Sequence, residues 1–214
     1  MTTKVLTFHP NPIPHRGTVF AVGILWAGLI AGLAAIGVFD VSPRDPALPT
    51  LIALIAPPLL FLLAVRGSRV FRKAVLSIDP ILLVEFQAWR ILGGLFLVML
   101  AFGHLPGFFA YPAGMGDVAI GIAAPFVAWR LRQDPGYLGT GKFRLFHLMG
   151  LFDFIVAVST GIAARNSIPG LVGEVTTSAM GQLPLVMIPT FLVPSFIILH
   201  TISLMQSRVH RSAR

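Results

Sequence analysis

His104–Gly121 reads HLPGFFAYPAGMGDVAIG. An aromatic turn, broken by Pro106 and Pro112, leads straight into an apolar run that carries one carboxylate, Asp117. The chain on both sides is almost continuously hydrophobic, so this acid sits in a segment whose solvent is lipid.

Composition extends that reading to the whole chain. The 214 residues are 56% hydrophobic and 11% charged, with a mean hydropathy of +0.85, whereas a soluble domain carries about one quarter charged residues. The expected fold class is all-α: a polytopic transmembrane helical bundle of six spans with both termini cytoplasmic. The apolar runs place the spans at about 18–39, 47–65, 83–102, 112–129, 145–164 and 183–205, each able to cross a hydrocarbon core of roughly 30 Å at 1.5 Å per residue. Residues 1–17, polar and proline-rich, read as a disordered cytoplasmic leader without the apolar core of a signal peptide. Residues 18–205 form the membrane domain, and 206–214 a basic cytoplasmic tail.

The runs are not uniform. Gly23, Gly28, Gly32 and Gly37 give the first small faces for helix packing, and Pro57-Pro58 should kink the second. Between the second and third runs, Arg66, Arg69, Arg72 and Lys73 face away from Phe71, Ala74, Val75 and Ile78. That pattern suits a surface helix against anionic headgroups, or a loop that only fixes topology. No internal repeat supports an inverted three-plus-three design.

Basic residues fix the expected orientation. Lys4, Arg16, Arg66, Arg69, Arg72, Lys73, Arg130, Arg132, Lys142, Arg144, Arg208, Arg211 and Arg214 would lie inside, against Arg44 and Arg165 outside, with Arg90 in a span. The net charge of +8 is then a topology signal, and no nucleic-acid partner is expected. The expected location is a cell membrane, a prokaryotic inner membrane before an organelle; a homo-oligomer is left open. Cysteine is absent, which excludes disulfides, thiolate metal sites and cysteine nucleophiles. No metal site and no resident cofactor are expected.

Ionisable groups inside the runs are the functional candidates, because each charge at mid-bilayer costs on the order of 2.5–3.5 kcal/mol. Counted from the expected cytoplasmic ends, Arg90, His147, Asp153 and His200 fall roughly 4–14 Å into the inner half. An Arg90–Asp153 ion pair flanked by His147 and His200, with Gln87 on the face of Arg90, is the expected inner cluster. Equally, such a pair can serve only to fix helix packing. Asp117 is expected about 7 Å below the outer surface, lining an outer vestibule with His104, or accepting backbone hydrogen bonds at a loosened helix start. Pro184, Pro189 and Pro194 make the sixth run irregular, a hinge or a cavity wall.

Three functions compete, beside an accessory protein without turnover. Gly114-Met115-Gly116-Asp117 resembles the GxGD motif of intramembrane aspartyl proteases, the presenilin and prepilin-peptidase class. That resemblance implies a catalytic pair, Asp117 with Asp153, sharing a proton to activate water. In presenilin-like members the partner aspartate precedes GxGD, whereas Asp153 follows it, and Gln182-Leu183-Pro184-Leu185 only faintly matches the later PAL element. His147 and His200 on different helices could instead hold a b-type haem, with Arg90 on a propionate. Transport or permeation of a small solute or protons through a polar route uses an outer acid, an inner cluster and bent helices together, and is the favoured expectation. No Walker loop, Rossmann fingerprint or metal-spaced histidine pair occurs, and enzymatic turnover is not the favoured reading.

Overall fold

The computed structural model describes residues 16–42, 45–165 and 175–212. Most of the expected leader, Arg44 and Arg214 lie outside the described residues. Within them the chain is helix and turn, with no strand. Five helical segments are long and apolar enough to cross a membrane: Leu48–Gly67, Pro80–Ala101, Gly107–Gln133, Gly141–Arg165 and Ile188–Ser212. Their outward residues, Ile52, Ile55, Leu59, Phe126, Phe152 and Ile155 among them, are exposed; so broad an apolar surface suits a multi-pass membrane protein.

The first expected span forms helix α1 (Arg16–Ala35) at the edge of the bundle. Helix α1 is apolar over Ala21–Ala35 among its described residues. It packs at the periphery: Trp26 lies edge-on to Phe191 at 4.9 Å, and Ile30 clusters with Phe39 and Val186. Helix α2 (Leu48–Gly67) runs through Pro57 and Pro58 without ending.

Two caps turn the basic end of the bundle. The Ser68 hydroxyl accepts from the Phe71 amide to start α3 (Arg69–Leu76), and the Asp79 carboxylate accepts from the Ile81 amide to start α4 (Pro80–Phe86), each satisfying an otherwise orphan helix-start donor. Val75 of α3 buries against Leu83 and Ile202, while Arg69, Arg72 and Lys73 stay exposed.

The third span is interrupted. After α4 the chain tightens into a 3₁₀ segment, Gln87–Gly93, and reopens as α5 (Gly94–Ala101). Two consecutive glycines weaken the α-helix there, and the backbone presses against the next helix: a β-carbon at Gly121 would meet the Ile91 nitrogen at 2.5 Å. Such mid-helix 3₁₀ stretches often accompany functional positions.

Helix α6 (Gly107–Gln133) is the hub, packed on α4, the 3₁₀ segment, α5 and α7. Its buried face is mostly small, Ala110, Ala113, Gly114, Gly121, Ala124 and Ala128, with Asp117 among them, which lets neighbouring backbones approach. It begins at Gly107, five residues before the expected start at 112. Pro112 is its sixth residue and forgoes one i→i−4 bond inside the helix without ending it, so it does not set the boundary. Helix α7 (Gly141–Arg165) follows a 3₁₀ turn at Pro135–Gly139, and α8 (Val193–Ser212) follows a π-helical turn at Ile188–Leu192. α8 runs through the expected tail, where the Gln206 amide donates to the carbonyls of Leu76 and Ile78 at 3.2 and 2.6 Å.

Candidate functional site

Arg90 stands near the middle of the Pro80–Ala101 span, roughly 17 Å from either end. Asp153 and His200 are about 18 Å from either end of their own segments. All three therefore stand about midway along their membrane-length helices, deeper than counting from the expected run ends put them.

One guanidinium organises the site. Its Nε donates to Asp117 Oδ1 at 2.7 Å and its Nη2 to Asp153 Oδ2. The two protons of Nη1 go to the Gly150 carbonyl and His200 Nε2, each at 3.1 Å. The Phe154 ring lies 3.9 Å from the guanidinium carbon, a cation–π contact that favours charge where water is scarce. Arg90 is fully buried, whereas the side chains of Asp117 and Asp153 keep 12% and 11% exposure.

Glycine makes the space. A β-carbon at Gly93 would overlap the Asp117 side chain, one at Gly116 the Asp153 carboxylate, and one at Gly150 the His200 ring. The motif Gly114–Asp117 thus supplies one carboxylate and the room for the other.

Asp117 corrects the expectation of an outer vestibule. It does not stand beside His104, which is exposed in the turn after α5. With α6 starting at Gly107, Asp117 lies roughly 15 Å into the helix instead of 7 Å, deep enough to reach Arg90. Gln87, one turn from Arg90, is wholly buried but touches none of these groups by hydrogen bond.

The histidines form a directed pair. Arginine only donates, so His200 Nε2 must accept, and a neutral His200 then carries its proton on Nδ1. That proton is donated to His147 Nδ1, 2.7 Å away, leaving the His147 proton on Nε2, which has no protein partner. The two rings bond each other directly, so no iron can stand between them, and the residues present do not fit a bis-histidine haem. Nor do the aspartates form a dyad: each faces Arg90, and the guanidinium occupies the place of the proton that the GxGD resemblance implies. Among the described residues no group of three or more His, Asp or Glu could hold a metal.

A cavity of about 120 Å³ reaches Asp117 from the end opposite the basic loops. Ala47, Thr50, Arg165, Thr177 and Gly181 line its distal part; Phe96, Asp117 and Phe154 line it at mid-height. Arg165 is held by the carbonyls of Val41, Ser42 and Asp45 at 2.6, 3.1 and 3.3 Å, which ties the α1–α2 link to the end of α7. Among the described residues no hydrogen bond is made to Asp117 Oδ2 or Asp153 Oδ1, so both acids keep an oxygen able to accept from a ligand.

Neither the curated proteins nor the solved structures contain a match to this chain. A family model described as Domain of unknown function (DUF8737) matches residues 47–208. That range holds Arg90, Asp117, His147, Asp153 and His200, all of the cluster, and the chain belongs to this family.

Proposed function

We propose that the protein moves protons or a small solute across the membrane, with Arg90, Asp117 and Asp153 as the midplane binding site. The observation that carries this is the shared guanidinium: two carboxylates from different helices meet one buried arginine beside a cavity. With both acids ionised the three groups sum to one negative charge, and each acid has an uncommitted oxygen. A proton or a donor-bearing solute arriving there would weaken one arm of the Arg90 contact. Each arm ties a different helix, α6 or α7, to the third span, so occupancy and helix packing are linked, which alternating access requires.

The same reading takes α1 as a sixth span and puts both termini on the cytoplasmic side of a cell membrane, of the prokaryotic inner-membrane type. Support comes from the basic residues, concentrated in the loops at one end and the C-terminal segment. The exposed arginines of α3 would then face anionic headgroups.

The test is proton flux into liposomes that hold the purified protein and a pH-sensitive dye. Flux above protein-free liposomes, lost when Asp117→Asn and Asp153→Asn are combined, is the expected result. Flux that ignores both replacements overturns the reading for protons; the same pair of variants then serves for any solute found to bind.

A further inference from the structure

The cluster explains the approach from one end of the bundle only. Seven buried side-chain atoms among the described residues have no hydrogen-bond partner: Gln87 Nε2 and Oε1, Arg144 Nε, His147 Nε2, Gln206 Oε1, Ser207 Oγ and His210 Nε2. All seven lie between the level of Arg90 and the basic end. Gln87 precedes Arg90 by one turn, and His147 and Arg144 precede Asp153 along α7. Gln206, Ser207 and His210 follow His200 along α8.

His200, Ser203, Ser207 and His210 recur at three- and four-residue steps and share one face of α8, and Ser203 and Ser207 are wholly buried. His210 sits against Gly139, in the turn that closes the basic end, about 15 Å along the helix from His200. At the upper end, the tautomer fixed by Arg90 points a donor, the His147 Nε2 proton, at no acceptor. Buried polar atoms in folded proteins are nearly always satisfied, by ordered water where protein does not reach. Scattered orphans would be isolated defects; seven gathered between the level of Arg90 and the basic end, on packed helices, point to a hydrated space.

We propose that this half of the bundle encloses a chain of ordered waters running from His147 and Gln87 past Ser207 to His210. The hydration stands on the geometry alone; its use as the inner leg of a route rests on the transport reading above.

The chain has no cysteine, so each introduced thiol is the sole target of a thiol reagent. Ser203→Cys, Ser207→Cys and, as control, Ile202→Cys in the apolar cluster with Val75 and Leu83 would be reconstituted in vesicles. A small, membrane-impermeant methanethiosulfonate is then added on the side of the C-terminal end. The two serine variants are expected to react at least about tenfold faster than Ile202→Cys, because only a hydrated thiol ionises and reacts. Equal, slow reaction at all three positions overturns the proposal. Proton flux separates it from the transport reading: Ser207→Leu, which fills the space, should lose most of the flux that Ser207→Ala retains. Fast labelling without flux in any variant upholds the water chain and removes the conduit, whereas slow labelling with undiminished Ser207→Leu flux removes the water chain and leaves transport standing.

Discussion

Gly116 of α6 lies against the carboxylate of Asp153 of α7, with no room between them for a methyl group. The contact lets an acid of one helix reach past another helix to Arg90. Gly116→Ala should push Asp153 off the guanidinium and lower stability by about 1–3 kcal/mol, the usual cost of overpacking. Gly28→Ala, where nothing lies within 4 Å, should cost nothing measurable. Thermal unfolding of the two variants in detergent checks the contrast.

Arg90 holds four partners from three neighbouring helices, so its loss should be the most damaging single change in the bundle. Arg90→Leu strands two buried carboxylates and should cost roughly 3–5 kcal/mol. Arg90→Lys keeps the charge but not the fork, and should fall between. Adding Asp117→Asn and Asp153→Asn to Arg90→Leu should recover part of the loss, since no unpaired charge remains. A triple variant no more stable than Arg90→Leu alone would contradict the geometry.

Exchanging Arg90 and Asp153 should not restore the site. The exchanged acid at position 90 would face Asp117, which an isolated ion pair would not include. Folded yield of the exchanged protein should therefore stay near that of the worse single variant, and rise when Asp117→Asn is added.

Arg132 and Glu85 also pair, but their side chains are 49% and 41% exposed. Glu85→Gln should change stability by less than about 1 kcal/mol, as exposed pairs do. Its unfolding midpoint, measured beside Asp153→Asn, separates a surface contact from a buried one.

Hydropathy alone exposes the five long helices, because lipid-facing and buried residues in them are both apolar. The meeting of Arg90 with Asp153 follows from two charges on separate apolar runs that need partners. The depth of Asp117 did not follow, for a local reason: Pro112 looks like a helix boundary, yet α6 passes through it from Gly107. The 3₁₀ segment at Gln87–Gly93 was equally hidden, since it arises from backbone contact with Gly121 across the helix pair. Nor did the sequence reading find Ser203 and Ser207, although their spacing from His200 repeats a helical turn. Arg208 and Arg211 left Ser207 in the expected tail, whereas α8 continues to Ser212.

Four membrane segments converge on the Arg90 guanidinium. Whatever binds the acids of this cluster must therefore shift the melting of the whole bundle, because a ligand that favours the folded form raises its stability by an amount that grows with the logarithm of its concentration over its Kd. A substrate of unknown identity need not be guessed before it is sought: libraries of small solutes can be screened by unfolding temperature alone. Arg90→Lys serves as the blank, and no transport assay is needed.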